Sequence, residues 1–305
     1  MQKHIKITIY MFLIRILIMS NTITEDLKEK IKKYTEQNKT KVCILTPCFG
    51  SICHLNYVNS LLNTMNFFKE LKVNISIKVE FCRNDSLITR ARNNLIAKAM
   101  SDTSYTHFLF IDNDIQWSPI EIVKLICHDK DVIGGVYPIK KYDWSKLLKQ
   151  NPENNNYDII EKIKDSKDKS IFKDILDDEE YLQCKLVKYN LNYLDGQLHI
   201  KDNTAKVMHV ATGFMLIKRN AIEKMITEYS STKYTDDVNF LKPEENKYAY
   251  ALFECGVEND KYLSEDWMFC NRWRKIGGDI FIDITVNLDH TGICDYKGSY
   301  ASSIL

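Results

Sequence analysis

The chain alternates between strand and helix patterns from residue 41 onward, and this alternation constrains its fold more than any other feature. Lys41–Pro47 is a β-branched run that ends at a proline, and apolar residues at helical spacing follow in Tyr57–Leu71. Val73–Phe81 and Thr106–Trp117 are the next two strand patterns, with a helical stretch between them. Repeated strand-to-helix units predict an α/β fold with a mostly parallel sheet and helices on both faces. In such sheets, ligands bind at the carboxyl ends of the strands.

Short sequence signals predict where other helices and strands begin or end. Ser118 and Glu121 form a predicted capping box around Pro119, so a helix is expected directly after the third strand. Asp195-Gly196 lies between alternating runs and predicts a small antiparallel hairpin.

Longer patterns complete the expected order of elements. Asp131–Pro138 predicts a strand, and residues 205–225 predict one strand that runs through Gly213 into a helix. A helix is expected from the cap at Ser264 to Gly277, and residues 279–292 predict a strand leading to His290.

Composition narrows the class of protein. With 305 residues and 45% hydrophobic residues, the chain can bury a full core. We predict an N-terminal extension and helix in residues 1–40 and one domain in residues 41–300, with an inserted polar segment at 143–185. The 42 Lys+Arg residues balance 41 Asp+Glu residues, so no basic field for nucleic acid is expected. Nine dispersed cysteines without a CxxC pair indicate reduced thiols and a cytoplasmic location.

The N-terminus leaves two interpretations open. Residues 5–19 are apolar, but Lys6 and Arg15 interrupt them, and the run is shorter than the roughly 20 residues that span a bilayer. We expect translation to begin at Met19 rather than Met1, with a polar helix capped at Thr24. The alternative is a membrane contact or anchor formed by residues 5–19.

An acidic motif ends the third strand, in the sequence FIDNDIQW. Because side chains alternate along a strand, Asp112 and Asp114 would project to one face while Asn113 points away. Two close carboxylates become favourable when a hard divalent cation binds between or beside them. The motif therefore predicts a metal and phosphate site, and the alternative is an acidic turn that simply ends the strand.

Four segments in this order, FIDNDIQW, ATGFMLI, SEDWMFCNRWRKIGG and LDHTG, resemble GT-A glycosyltransferases. The pattern is most similar to family-2-like enzymes of large DNA viruses and phages, and less to Anp1-type mannosyltransferases and the lysyl hydroxylase transferase domain. The composition, rich in Asn, Lys and Ile, is compatible with a large virus or a protist. The resemblance implies a metal-dependent transfer of sugar from a nucleotide-diphosphate sugar to a hydroxyl acceptor.

The resemblance also implies a set of metal ligands. Asp114 would hold the metal, Asp112 would contact ribose or metal-bound water, and His290 would be the distal ligand. Mn²⁺ is favoured over Mg²⁺ because it tolerates mixed carboxylate and imidazole ligation better.

The donor nucleotide is expected to contact the end of the first strand and the helix that contains Arg92. Thr46 and Pro47 end the strand where the family binds the base. Arg90 and Arg92 lie about 200° apart around a helix, so only one of them can face the site. The family pattern favours Arg92, which with Asn93 would contact the nucleotide or brace Asp112.

The acceptor side of the expected site comes from two other segments. By resemblance to inverting enzymes with an ED pair, Asp266 would be the general base and Glu265 its helper in acceptor binding. Gly213 and Phe214 would lie beside the acceptor. Retention of configuration stays open as an alternative, because GT-A sites with the same ligands can catalyse either outcome.

Two other functions compete with this prediction. A nucleotidyltransferase also uses carboxylates and a metal on a related fold, but the loop CFGSICHL has one glycine and no Lys or Arg. A catalytically inactive glycan-binding module is the third hypothesis, against which the acidic residues and His290 argue. The sequence leaves the donor sugar, the acceptor and the oligomeric state open.

Overall fold

The computed structural model describes residues 25–148, 163, 165–168 and 177–293. Within these ranges the α-helices are α1 (Glu25–Gln37), α2 (Leu55–Leu71), α3 (Ile88–Ser101), α4 (Pro119–Cys127), α5 (Ser145–Leu148), α6 (Asp178–Leu186), α7 (Arg219–Glu228) and α8 (Glu265–Lys275). The strands are β1 (Thr40–Cys48), β2 (Ile75–Arg83), β3 (His107–Ile111), β4 (Ile115–Trp117), β5 (Val132–Gly134), β6 (Pro138–Tyr142), β7 (Val187–Tyr189), β8 (Asn192–Tyr193), β9 (Ile200–Lys201), β10 (Thr204–His209), β11 (Phe214–Lys218), β12 (Gly256–Glu258), β13 (Lys261–Leu263), β14 (Ile280–Asp283) and β15 (Leu288–His290).

A nine-stranded sheet forms the centre, in the order β2-β1-β3-β11-β5-β14-β10-β8, with β9 paired to β10. Strands β2, β1 and β3 are parallel to one another, and β5 is parallel to β14. Strand β11 is inserted antiparallel between β3 and β5, and β10 also runs against its neighbours. The fold is therefore α/β, with a mixed and largely parallel sheet and small antiparallel hairpins. This confirms the predicted α/β class with a mostly parallel sheet and small antiparallel hairpins.

Helices cover both faces of the sheet, as the strand-to-helix alternation predicted. Alternation along β3 sends Phe108 and Phe110 to one face and Leu109 and Ile111 to the other, and all four are fully buried. Helices α3, α7 and α8 pack on the first face, whereas α1, α2 and α4 pack on the second. Two cores thus fix β3 and, with it, the acidic motif at its carboxyl end.

The region after residue 190 differs from the sequence prediction. Asp195-Gly196 does not close a hairpin, because the strands on either side of it, β8 and β9, both pair with β10. The two-residue turn lies instead at Asp202 and Asn203, which both have positive φ, as a type I′ hairpin turn requires. The strand predicted to run through Gly213 is two strands, β10 and β11, with Gly213 in the turn between them.

Two predictions around the acidic motif also need correction. Ser118 is the N-cap residue of α4, but its side chain makes no capping hydrogen bond, and Glu121 pairs with Lys124 instead. The expected strand over residues 279–292 is divided into β14 and β15. Strand β15 pairs antiparallel with β4, so His290 lies opposite Ile115 in a short ribbon beside the acidic motif.

Several predictions fall outside the described residues. Both the expected start at Met19 and the alternative anchor at 5–19 lie in this part of the chain. The insertion at 143–185 is described only in part, including α5 and most of α6. In the described part of the chain, no helix is long and apolar enough to cross a membrane.

Candidate active site

The acidic motif forms a turn between β3 and β4 that backbone hydrogen bonds hold in place. The N–H of Asp112 donates to the carbonyl of Gly213 (3.1 Å), and the N–H of Ile115 donates to the carbonyl of Asp112 (3.1 Å). The side-chain amide of Asn113 donates to the carbonyl of Ile52 (2.6 Å), and the N–H of His54 donates to the Asn113 carbonyl (3.0 Å). Asn113 therefore ties the acidic turn to the loop that follows β1.

Arg92 of α3 lies between two carboxylates and is 3% exposed. Its Nη2 donates to Asp112 Oδ1 (3.0 Å) and Oδ2 (3.3 Å), and its Nε donates to Glu265 Oε1 (3.1 Å). Burial alone would lower the pKa of Arg92, but the two carboxylates outweigh burial and raise it. The guanidinium thus joins the end of β3 to the start of α8.

One nitrogen of this guanidinium stands out. Arg92 Nη1 is buried and has no hydrogen-bond partner among the described residues. A buried donor without a partner costs roughly 1–3 kcal/mol, so such a group calls for an acceptor supplied by water or a ligand.

Asp114 faces a different set of groups from Asp112. Its Oδ2 accepts a hydrogen bond from Lys140 Nζ of β6 and lies 3.5 Å from His290 Nε2. Burial would raise the pKa of Asp114, but hydrogen bonds from His290 and Lys140 outweigh it and lower this pKa to about 2. Asp114 is therefore an ionised carboxylate beside Lys140 and the ring of His290.

The ring of His290 is fixed through its other nitrogen. Nδ1 lies 2.8 Å from the carbonyl oxygen of Pro138, which can only accept a hydrogen bond, so Nδ1 carries the proton. Nε2 faces the Asp114 carboxylate: it can donate to Asp114 when it carries a proton, and it offers a lone pair to a metal ion when it does not. An imidazole held by an N–H to a backbone carbonyl is typical of metal-binding histidines.

The donor chemistry fits a divalent ion only in part. Carboxylate oxygen and imidazole nitrogen suit Mn²⁺, and Asp114 and His290 already face each other. Asp112, however, is paired with Arg92. Among the residues that the structure describes, no three His, Cys, Asp or Glu side chains are grouped closely enough to hold a metal. Two of the three predicted ligands thus meet, and Lys140 contributes the local positive charge.

Asp266 opens α8, in the first turn after the N-cap residue Ser264. Its Oδ1 accepts hydrogen bonds from Ser264 Oγ and from the N–H of Trp267 (2.8 Å). No described residue bonds its Oδ2. Asp266 and His290 both line a pocket of about 170 Å³, whose wall includes the segment between β5 and β6.

The two residues predicted beside the acceptor have different environments. The N–H of Gly213 donates to Tyr137 Oη (3.2 Å), and a Cβ on Gly213 would lie 2.4 Å from that oxygen. Gly213 is therefore needed for close approach of Tyr137, whose ring packs edge-on against His290 at 5.0 Å. Phe214 is fully buried and packs against Trp117, so its ring has no exposed face.

Three residues predicted to contact the nucleotide form no hydrogen bond through their side chains with the acidic turn among the described residues. The buried hydroxyl of Thr46 bonds Tyr57 Oη (2.6 Å), and Pro47 is buried in β1. Both amide atoms of Asn93 bond the backbone of Phe253, at 2.8 and 2.9 Å. These contacts give the side chains of Thr46 and Asn93 structural roles, and their nucleotide contacts stay predictions.

Sequence reasoning missed Lys140 and Tyr137. Tyr137 closes the predicted strand at Asp131–Pro138, so its place at a carboxyl strand end was the available signal. Lys140 carried no local signal, because its contact with Asp114 depends on how β6 passes the acidic turn.

Comparison with known proteins gives no family assignment. No family model matches this chain, and no curated protein matches it. The solved structures that resemble it include the crystal structure of A197 from STIV, at 13% identity and a TM-score of 0.42, covering 83% of this chain and 86% of A197. Another is GalNAc-T7 with UDP, GalNAc and Mn²⁺, at 8% identity and a TM-score of 0.38. That likeness covers 88% of this chain but only 53% of GalNAc-T7. At such identities and scores, neither likeness carries an argument about the chemistry of this chain.

Proposed function

We propose that the protein is a metal-dependent glycosyltransferase that moves a sugar from a nucleotide-diphosphate sugar to a hydroxyl acceptor, with inversion. One observation carries the proposal: Asp266 and His290 line the same pocket, and His290 Nε2 lies 3.5 Å from Asp114 Oδ2. A candidate base and a candidate metal-binding pair thus border one space at the carboxyl edge of the sheet. This is the arrangement that displacement from a metal-bound diphosphate requires.

Asp114 and His290 would hold the metal ion, which is Mn²⁺ or, as the alternative, Mg²⁺. When bound, the ion would neutralise charge on the leaving diphosphate. Asp112 would contact the ribose or metal-bound water, and Arg92 keeps its carboxylate in one orientation. The buried Nη1 of Arg92 supports an additional acceptor at this point, such as an oxygen of the nucleotide.

Asp266 would remove the proton from the acceptor hydroxyl through Oδ2, while Ser264 and the Trp267 N–H hold Oδ1. The acceptor oxygen forms a bond to the anomeric carbon as the bond from that carbon to the phosphate oxygen breaks. The nucleoside diphosphate leaves with the electron pair of that bond. Attack from the face opposite the leaving group inverts the configuration.

Glu265 was predicted to help bind the acceptor, but its contact with Arg92 supports a second role. Through Arg92, Glu265 couples the start of α8 to Asp112. We therefore include Glu265 as a positioning residue that sets Asp266 relative to the donor site.

Donor hydrolysis measured with a panel of UDP-, GDP- and TDP-sugars in the presence of Mn²⁺ tests the proposal. We expect at least one donor to be hydrolysed, Asp114→Ala to abolish this activity, and the surface variant Asp279→Ala to retain it, because Asp279 pairs with Lys206 at the surface. Full activity of Asp114→Ala, or no hydrolysis of any donor, would contradict the proposal.

A further inference from the structure

A groove of about 380 Å³ lies between α2 and the ribbon formed by β4 and β15. Amide side chains dominate its lining. The polar residues that the argument uses are Asn56, Asn59, Asn63, Gln116, Asn287 and Asp289. We call this surface the amide groove.

Most of these amides have no role within the fold. Asn56, Asn59 and Asn63 follow helical spacing along one exposed side of α2. Asn56 Nδ2 donates to Thr291 Oγ (3.2 Å), but in the described part of the chain the side chains of Asn59, Asn63 and Gln116 form no hydrogen bond. Three neighbouring amides therefore present both a donor and an acceptor to a ligand.

The charges around the amide groove exclude an anion. No Lys or Arg lines it, while Asp289 and Glu121 do. Lys124 Nζ pairs with Glu121 (2.7 Å), so it is not free to bind an anion in the groove. The groove therefore favours a neutral ligand rich in hydroxyl groups.

The apolar part of the lining is small. Trp117 is 4% exposed, and its Nε1 donates to Thr64 Oγ (2.9 Å), so the indole is part of the core. Pro119 is the other apolar residue of the lining. An extended peptide would need pockets for its apolar side chains, whereas vicinal hydroxyls pair directly with amides.

The amide groove is distinct from the candidate active site. Asp289 and His290 are consecutive in β15, so their side chains project to opposite faces of the ribbon. Asp289 lines the groove, whereas His290 lines the pocket that Asp266 shares. From these observations we infer that the amide groove binds a neutral oligosaccharide and is a second carbohydrate site, separate from the site of transfer.

Calorimetric titration of the whole protein with maltotriose, chitotriose and mannotriose tests the inference. At least one should bind saturably, and the double variant Asn59→Ala/Asn63→Ala should weaken binding at least tenfold. Asn66→Ala is the matched control, since Asn66 is exposed on the same helix but does not line the groove. Alanine favours helix at all three positions, so the variants should fold.

Two outcomes would overturn the inference: no saturable binding of any of the three sugars, or equal weakening in Asn66→Ala. Asp114→Ala should bind the trisaccharide as the wild type does. The binding result is therefore independent of donor hydrolysis, and failure of the glycosyltransferase proposal would be seen separately.

Discussion

His290 Nε2 lies 3.5 Å from Asp114 Oδ2, while the Pro138 carbonyl fixes the proton of the same ring on Nδ1. A positive charge between or beside these two groups stabilises the Asp114 carboxylate. Lys140 supplies that charge in the free protein. A divalent ion at Asp114 would replace it, so metal binding and the Lys140 contact compete.

His290→Ala should weaken Mn²⁺ binding by at least tenfold, because it removes the imidazole nitrogen beside Asp114. Titration of Mn²⁺ monitored by electron paramagnetic resonance measures the free ion directly. His199→Ala is the control, since His199 is exposed and does not line the pocket. Unchanged Mn²⁺ affinity in His290→Ala would remove His290 from the ligand set.

Lys140→Ala should have the opposite effect and tighten Mn²⁺ binding, because Asp114 loses its competing ammonium group. The stem of Lys140 packs against Gly292, where an added Cβ would lie 2.7 Å from Lys140 Cδ, so the side chain is held in place. Lys141→Ala is the matched control, because Lys141 is exposed and forms no ion pair with a described residue. Weaker Mn²⁺ binding in Lys140→Ala would show that Lys140 does not compete for Asp114.

Arg92→Lys should destabilise the protein and weaken nucleotide binding, even though it preserves the charge. A lysine cannot donate to Asp112 and Glu265 at once with the planar geometry of a guanidinium. Breaking a buried ion pair costs about 3–5 kcal/mol, so Arg92→Ala should lower the free energy of unfolding by about this amount. Arg92→Lys should lower it by less. Urea unfolding measures both.

Arg90→Lys is the control for this pair of experiments. Arg90 lies two residues away and forms a comparable pair with Asp85, but its side chain is 30% exposed. Equal unfolding free energies for the Arg92→Lys and Arg90→Lys variants would show that the bridge formed by Arg92 does not hold the site together.

The sequence was informative where local spacing decides the outcome. Arg90 and Arg92 lie about 200° apart around the helix axis, which implied that only one of them faces the site. In the structure Arg92 pairs with Asp112, whereas Arg90 pairs with Asp85. The apolar run likewise indicated a strand ending at the acidic motif, and β3 does end directly before Asp112. The expected alternation of Asp112 and Asp114 along that strand is not seen, because residues 112–114 form a turn.

Contacts between distant segments could not be predicted in the same way. The insertion of β11 between β3 and β5 depends on how strands far apart in the sequence pair, and no local pattern encodes this. The contact of Lys140 with Asp114 depends in turn on the path of β6. These long-range relations separate the two cationic environments of Asp112 and Asp114.

His107 provides a prediction about stability that is independent of the proposed chemistry. It lies buried in β3, where burial lowers its pKa from the ordinary 6.5 to about 4. The unfolded chain therefore binds a proton more readily than the folded protein between these values, and stability falls as the pH is lowered from 6.5 towards 4. The interval between these two pKa values corresponds to a loss of about 3 kcal/mol at most.

His107→Gln should flatten this part of the stability profile in urea unfolding at pH 7, 6 and 5, because glutamine does not titrate. The variant loses the contact of Nδ1 with Thr106 Oγ (2.8 Å), so its stability at pH 7 should also be lower. His199→Gln, at an exposed position, should keep the wild-type slope. An unchanged slope in His107→Gln would assign the acid sensitivity to groups other than His107.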